Sequence, residues 1–119
     1  MSKILVTDDS VSMRQMISFT LTEAGHEVKE AGDGTEAFDR AKAEAFDLFL
    51  VDVNMPRMNG IELTTNLRKL PNYKSTPILI LTTETANETK AAGKSAGATG
   101  WLVKPFNPEK LLATIAKVL

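Results

Sequence analysis

A chain of 119 residues has room for one domain and is long enough to bury a core without covalent staples. It contains no cysteine, which excludes disulfides and thiolate metal sites, and its formal net charge of -1 comes with no basic run that would serve as a nucleic-acid footprint. No apolar stretch approaches the roughly 20 residues needed to span a bilayer, and the N-terminus does not read as a signal peptide, so a cytoplasmic protein is expected.

Short apolar runs alternate with helical stripes along the chain. Ile4-Leu5-Val6 ends in Thr7-Asp8-Asp9-Ser10. The stripe Met13, Ile17, Leu21, Ala24 follows and stops at Gly25. His26 reads as a solvated turn residue, and Glu27 to Ala31 alternates in the manner of an edge strand. Asp33-Gly34-Thr35-Glu36 resembles a capping box opening a helix through Ala37, Phe38 and Ala41.

Leu48-Phe49-Leu50-Val51 is the next run and ends in Asp52. A helix bearing Leu63, Leu67 and Leu70 stops at Pro71. Ile78-Leu79-Ile80-Leu81 ends in Thr82-Thr83-Glu84. The segment from Thr85 to Gly97 is the weakest helix, with no apolar side chain larger than alanine and a glycine at 93. Trp101-Leu102-Val103 leads into Lys104-Pro105. Asn107-Pro108 then supplies a cap and a first-turn proline for a helix through Leu111, Leu112, Ile115, Val118 and Leu119, which reads as a complete final element. Continuous apolar runs suit strands covered on both faces. Five strands alternating with five helices predict an α/β, doubly wound parallel sheet joined by right-handed crossovers, in one domain running over 1–119.

Ligands of such sheets bind beyond the carboxyl ends of the strands. Asp8, Asp9, Asp52, Thr82 and Lys104 stand at those ends and are expected to converge. Crowded carboxylates repel one another unless a cation neutralises them. Oxygen ligands without His or Cys favour Mg²⁺. Lysine offers a point charge and threonine a hydroxyl to a phosphoryl group. A carboxylate among them is placed to attack phosphorus.

Taken together, Val6-Thr7-Asp8-Asp9-Ser10, Val51-Asp52-Val53-Asn54-Met55-Pro56, Gly60, Leu81-Thr82 and Lys104-Pro105-Phe106 resemble the CheY-type receiver domains of two-component signalling, from near the start of the chain to near its end. The resemblance implies the flavodoxin-like strand order 2-1-3-4-5. It implies that Asp52 is the phosphoacceptor and takes phosphate from a sensor histidine kinase. It implies Mg²⁺ held by Asp9, Asp52 and the Asn54 backbone carbonyl, with Asp8 acting through water. Thr82 and Lys104 would engage the phosphoryl oxygens, Asn54 and Glu84 would tune the lifetime of the acyl phosphate, and Lys104–Pro105 would be cis.

The family's output partners, a flagellar motor switch protein or a phosphatase, are implied less directly. Trp101 stands where the family usually has Tyr, Phe or His and acts as a switch residue. Lys90 stands where motor-binding members tend to carry a large aliphatic residue. Both departures weigh against the motor and leave a phosphate sink or relay as the alternative to a chemotaxis switch. The chain could also be the receiver piece of a longer regulator. An Asp-nucleophile phosphatase of the haloacid dehalogenase kind is disfavoured, since that family places its nucleophile on the first strand in an Asp-x-Asp pattern. Apart from its own phosphorylation and dephosphorylation the chain is expected to catalyse nothing.

Overall fold

The structure, a computed structural model, describes residues 2–83 and 87–119, with the side chains of 87–89 left out. Its elements are β1 (Lys3–Thr7), α1 (Val11–Glu23), β2 (Glu27–Ala31), α2 (Gly34–Ala43), β3 (Leu48–Asp52), α3 (Gly60–Lys69), a single 3₁₀ turn at Pro71–Tyr73, β4 (Ile78–Thr82), α4 (Asn87–Ala96), β5 (Gly100–Val103) and α5 (Pro108–Val118). The strands form one sheet, all parallel, in the order β2-β1-β3-β4-β5.

The period of two along each strand divides the core. On one face, Ile4, Val6, Leu48, Leu50, Leu79, Leu81 and Leu102 meet Ile17 and Leu21 of α1 and Leu111 and Ile115 of α5. On the other, Leu5, Phe49, Val51 and Ile78 meet Ala37 and Ala41 of α2, Leu63 and Leu67 of α3, and Tyr73. Every residue of β3 and β4 is buried, which is why those runs carry no polar residue before their final Asp52 and Thr82. Each fully buried Leu or Ile contributes roughly 1.5–3 kcal/mol.

Several local readings need correction. The run Trp101-Leu102-Val103 is not covered on both faces: on the edge strand that the order 2-1-3-4-5 implies, only Leu102 is buried, and Trp101 is 37% exposed. Leu119 lies past the end of α5 and is also exposed, as is Ala24 at the end of α1. At α2 the Asp33 side chain accepts from the Glu36 amide as expected, but the Glu36 carboxylate returns to the Gly32 amide, one residue before the cap. The reciprocal capping box occurs instead at α3, between Asn59 and Glu62. His26 is half-buried, and its Nδ1 accepts from the Ser2 amide at 3.1 Å. Glu84, with Thr85 and Ala86 of the segment read as the weakest helix, lies outside the described residues.

Candidate functional site

Parallel strands all end on the same side of the sheet, so β1, β3, β4 and β5 deliver their C-terminal residues to one place. The exchange of partners around β1, with β2 on one side and β3 on the other, opens the crevice above it. Asp8 follows β1 and is fully buried, whereas Asp9 turns outward and is exposed. Asp52 closes β3 with 6% exposure, and Thr82 closes β4 with 2%. Lys104 follows β5, and its amide is anchored to the Thr82 carbonyl at 2.7 Å.

The side chains of the three acids and Lys104 meet. The Lys104 ammonium donates to Asp8 Oδ2 at 2.9 Å and stands 3.3 Å from Asp52 Oδ1. Asp8, Asp9 and Asp52 each offer an oxygen, and the three lie within 4.8 Å of one another. The second Asp8 oxygen accepts from the Ser10 amide at 2.9 Å, and Ser10 itself caps α1. The Lys104–Pro105 peptide is cis. Asn54 is exposed in the loop two residues beyond Asp52.

The charge balance is uneven. Burial pushes the Asp52 carboxyl up from 3.8 to about 6, helped by the Asp8 charge and opposed by Lys104, with Asp9 adding to the rise. Burial works to lower the Lys104 ammonium, but the bond to Asp8 and the charges of Asp52 and Asp8 overcome it and raise that group above its usual range. One ammonium thus pairs with two of three clustered carboxylates. An all-oxygen set with surplus negative charge and an open side is suited to a hard divalent cation that keeps part of its water.

Over this architecture the response regulator receiver domain matches residues 4–116. The chain belongs to that family. Its receiver is 41% identical over 119 residues to the chemotaxis protein CheY homolog of Campylobacter jejuni subsp. jejuni (strain 81-176), covering 98% of this chain and 92% of the relative. The solved structure of Vibrio cholerae chemotaxis protein CheY4 superimposes with a TM-score of 0.97 at 56% identity, covering 100% of this chain and 99% of that one. The receiver domain of Pseudomonas aeruginosa sensor histidine kinase PA1611, solved with magnesium coordinated in its active-site cleft, gives a TM-score of 0.91 at 26% identity over 98% and 96% of the two chains.

The remaining residues singled out from sequence lie beside the cluster. Trp101 pairs in register with Ile80, and Lys90 holds its ammonium 5.3 Å from the centre of the indole ring. Ile80, Thr82, Lys90, Gly93 and Trp101 enclose a gap of about 10 Å³, so Thr82 and Trp101 border one space. Two arginines were not legible as site residues. Arg14 of α1 donates to the Asp8 carbonyl at 2.7 Å and pairs with Glu30 at 3.1 Å, which pins the turn carrying the two acids. Arg57, in the loop after β3, pairs with Asp33 at the start of α2. The Glu36 amide, followed by the Arg57 guanidinium, holds the Asp33 carboxyl below its usual range. An arginine four residues into a helix carries no sign of the carbonyl it will meet. No described helix is long and apolar enough to cross a membrane.

Proposed function

We propose that this receiver is a cytoplasmic phosphorylation switch of a chemotaxis system, with a sensor histidine kinase as its phosphodonor. The observation that carries the proposal is the Lys104 ammonium set between Asp8 and Asp52 on the rim of an all-oxygen acidic cluster. A carboxylate oxygen of Asp52 attacks phosphorus, the P–N bond of the donor phosphohistidine breaks, and an acyl phosphate forms on Asp52. Lys104 takes up the new negative charge, and the Thr82 hydroxyl donates to a phosphoryl oxygen. Asp9, Asp52 and the Asn54 carbonyl would hold Mg²⁺ directly and Asp8 through water. That ion supplies charge neutralisation while the acceptor carboxylate meets an anionic donor. The donor set supports this reading, as does the magnesium in the cleft of the Pseudomonas receiver. Asn54 and Glu84 are assigned to tuning acyl-phosphate lifetime. Hydrolysis of that intermediate is the only further reaction proposed.

The test is incubation with acetyl phosphate and Mg²⁺ followed by intact-mass measurement. One phosphate should appear on the parent and none on Asp52→Asn. Equal labelling of the two would refute the assignment. A second reading, a phosphate sink or relay intermediate, is favoured by the Lys90 ammonium lying over Trp101, which makes the face beside the switch position more polar. A partner such as a motor switch protein or phosphatase, captured only by the phosphorylated form, supports the switch. No difference in capture supports the sink.

A further inference from the structure

The loop between β3 and α3 carries Asn54, and its tip has one anomalous residue. Arg57 has a φ of 67°, the only positive φ at a non-glycine among the described residues. The Met58 amide donates to the Pro56 carbonyl at 2.8 Å, so Arg57 stands at the centre of a three-residue turn with positive φ. Such turns are rare and strained. A residue with a Cβ persists there only where the surroundings hold it.

What holds it lies on α2. The Arg57 guanidinium pairs with the Asp33 carboxylate. The Asp33 side chain is 8% exposed, and its other oxygen is already fixed by the Glu36 amide at 2.9 Å, so the acceptor is rigid. Next to it, a Cβ built on Gly34 would fall 2.6 Å from Met58 Cβ, which means the loop lies directly on the helix start. The base of the loop is closed by the Gly60 amide on the Val53 carbonyl at 3.1 Å. Its tip is tied to α3 only weakly, through the Asn66 amide and the Met58 sulfur at 3.5 Å, and to α2 through a charge pair.

We infer that the Arg57–Asp33 pair is a latch that fixes the β3–α3 loop against α2 and so sets where the Asn54 carbonyl stands relative to Asp9 and Asp52. Arg57 is a positioning residue for cation binding. Glycine would fit the turn without strain, but it would leave the tip free to sample other geometries. Arginine accepts the strained turn and adds a tether. The inference rests on the metal-site reading above.

The experiment measures the Mg²⁺ Kd by calorimetry for the parent, Arg57→Gly, Arg57→Lys, Asp33→Asn and the Arg57→Gly/Asp33→Asn double variant. Thermal melting in EDTA is followed alongside. Arg57→Gly relieves the backbone, so a purely structural arginine predicts unchanged affinity and equal or higher melting temperature. The latch predicts Mg²⁺ binding weaker by about tenfold, the scale on which groups supporting a metal's ligands act. Asp33→Asn keeps a good N-cap and removes the charge, so it should weaken binding to the same extent. The double variant should be no weaker than either single one, and Arg57→Lys should recover part of the loss. Unchanged affinity in Arg57→Gly overturns the latch, as does a loss there that Asp33→Asn does not share. If Arg57→Gly does not fold, the comparison of Asp33→Asn with the parent decides alone. A parent that takes up no Mg²⁺ overturns the metal-site reading itself, which is a different result from a parent and variants that bind alike.

Discussion

Replacing Asp52 by asparagine should stabilise the cation-free protein at neutral pH and have little effect in acid. The folded carboxyl has its pKa raised from 3.8 to about 6 by burial first and then by Asp8. A group shifted in this direction stabilises the fold fully below its unfolded pKa. That stability is lost as pH rises through the folded pKa, because the unfolded chain ionises first. At 1.36 kcal/mol for each pH unit between the two values, the loss reaches about 2–3 kcal/mol once the pH is well above 6. Asparagine has no proton to lose and should return most of it. For a domain of this size that is a rise in melting temperature on the order of 10 °C. The assay is thermal melting of both proteins in EDTA across the range from the ordinary carboxylate pKa to mildly alkaline buffer. The two curves should lie close at the acid end and separate through the folded pKa. Adding Mg²⁺ should narrow the gap, since a cation that binds the folded parent stabilises it by mass action. Parallel curves at every pH would refute the reasoning, because they would mean that Asp52 ionises as easily in the fold as outside it.

Lys104→Met should cost about 3–5 kcal/mol in EDTA, because it strands the fully buried Asp8 carboxylate without its cation, and Mg²⁺ should restore part of the loss. A denaturant midpoint close to the parent's would count against that pairing. Gly60→Ala should cost about 1–3 kcal/mol, read from urea unfolding, since its Cβ would sit 2.9 Å from Val51 Cγ1 and press on the Asp52 backbone. Gly93→Ala should change stability by no more than about 1 kcal/mol, since the helical gain roughly offsets a contact of 2.9 Å with the movable end of Ile80. By filling the gap between Thr82 and Trp101 it should also reduce the change in Trp101 fluorescence that beryllofluoride with Mg²⁺ produces. An undiminished change would show that the indole does not use that space.

Much of the fold was legible because strand burial writes itself into the order of residues. Leu48 to Val51 and Ile78 to Leu81 had to be apolar throughout, being covered on both faces, and Glu27 to Ala31 mixes polar with apolar residues because β2 is an edge. The same logic failed at β5, where three apolar residues in a row read as covered on both faces although Trp101 is partly exposed, on the edge that the strand order implies. Three residues are too few to separate a buried run from an edge strand with one large outward side chain. Phe19 shows a similar limit: it lies off the stripe of Met13, Ile17 and Leu21 and is 67% exposed, although its side chain is as apolar as theirs. The acids, Thr82 and Lys104 could be read together because parallel topology sends strand ends to one edge. The contact of Arg14 with the Asp8 carbonyl and the pairing of Arg57 with Asp33 could not, because they are made from a helix and a loop tip, where the sequence carries spacing but not direction.

The two ends of the sheet are built on opposite terms. Where the strands begin, polar groups are conventionally satisfied. The Tyr73 hydroxyl donates to the Ala41 carbonyl at 2.7 Å, and Arg68 donates to the Tyr73 and Thr76 carbonyls at 2.7 and 2.6 Å and to the Gly97 carbonyl at 2.9 Å. Where the strands finish, one ammonium pairs with two of three clustered carboxylates, a loop turns through a positive φ at arginine, and the adjoining helix carries a glycine over a gap. These features cost stability, and they are the features that a bound cation or a phosphoryl group would act on. A ligand moves a conformational equilibrium only by its differential affinity for the two states. A site already satisfied in the resting state offers little such difference. The electrostatic cost that Asp52→Asn would measure is therefore free energy that a cation bound to the folded state would relieve.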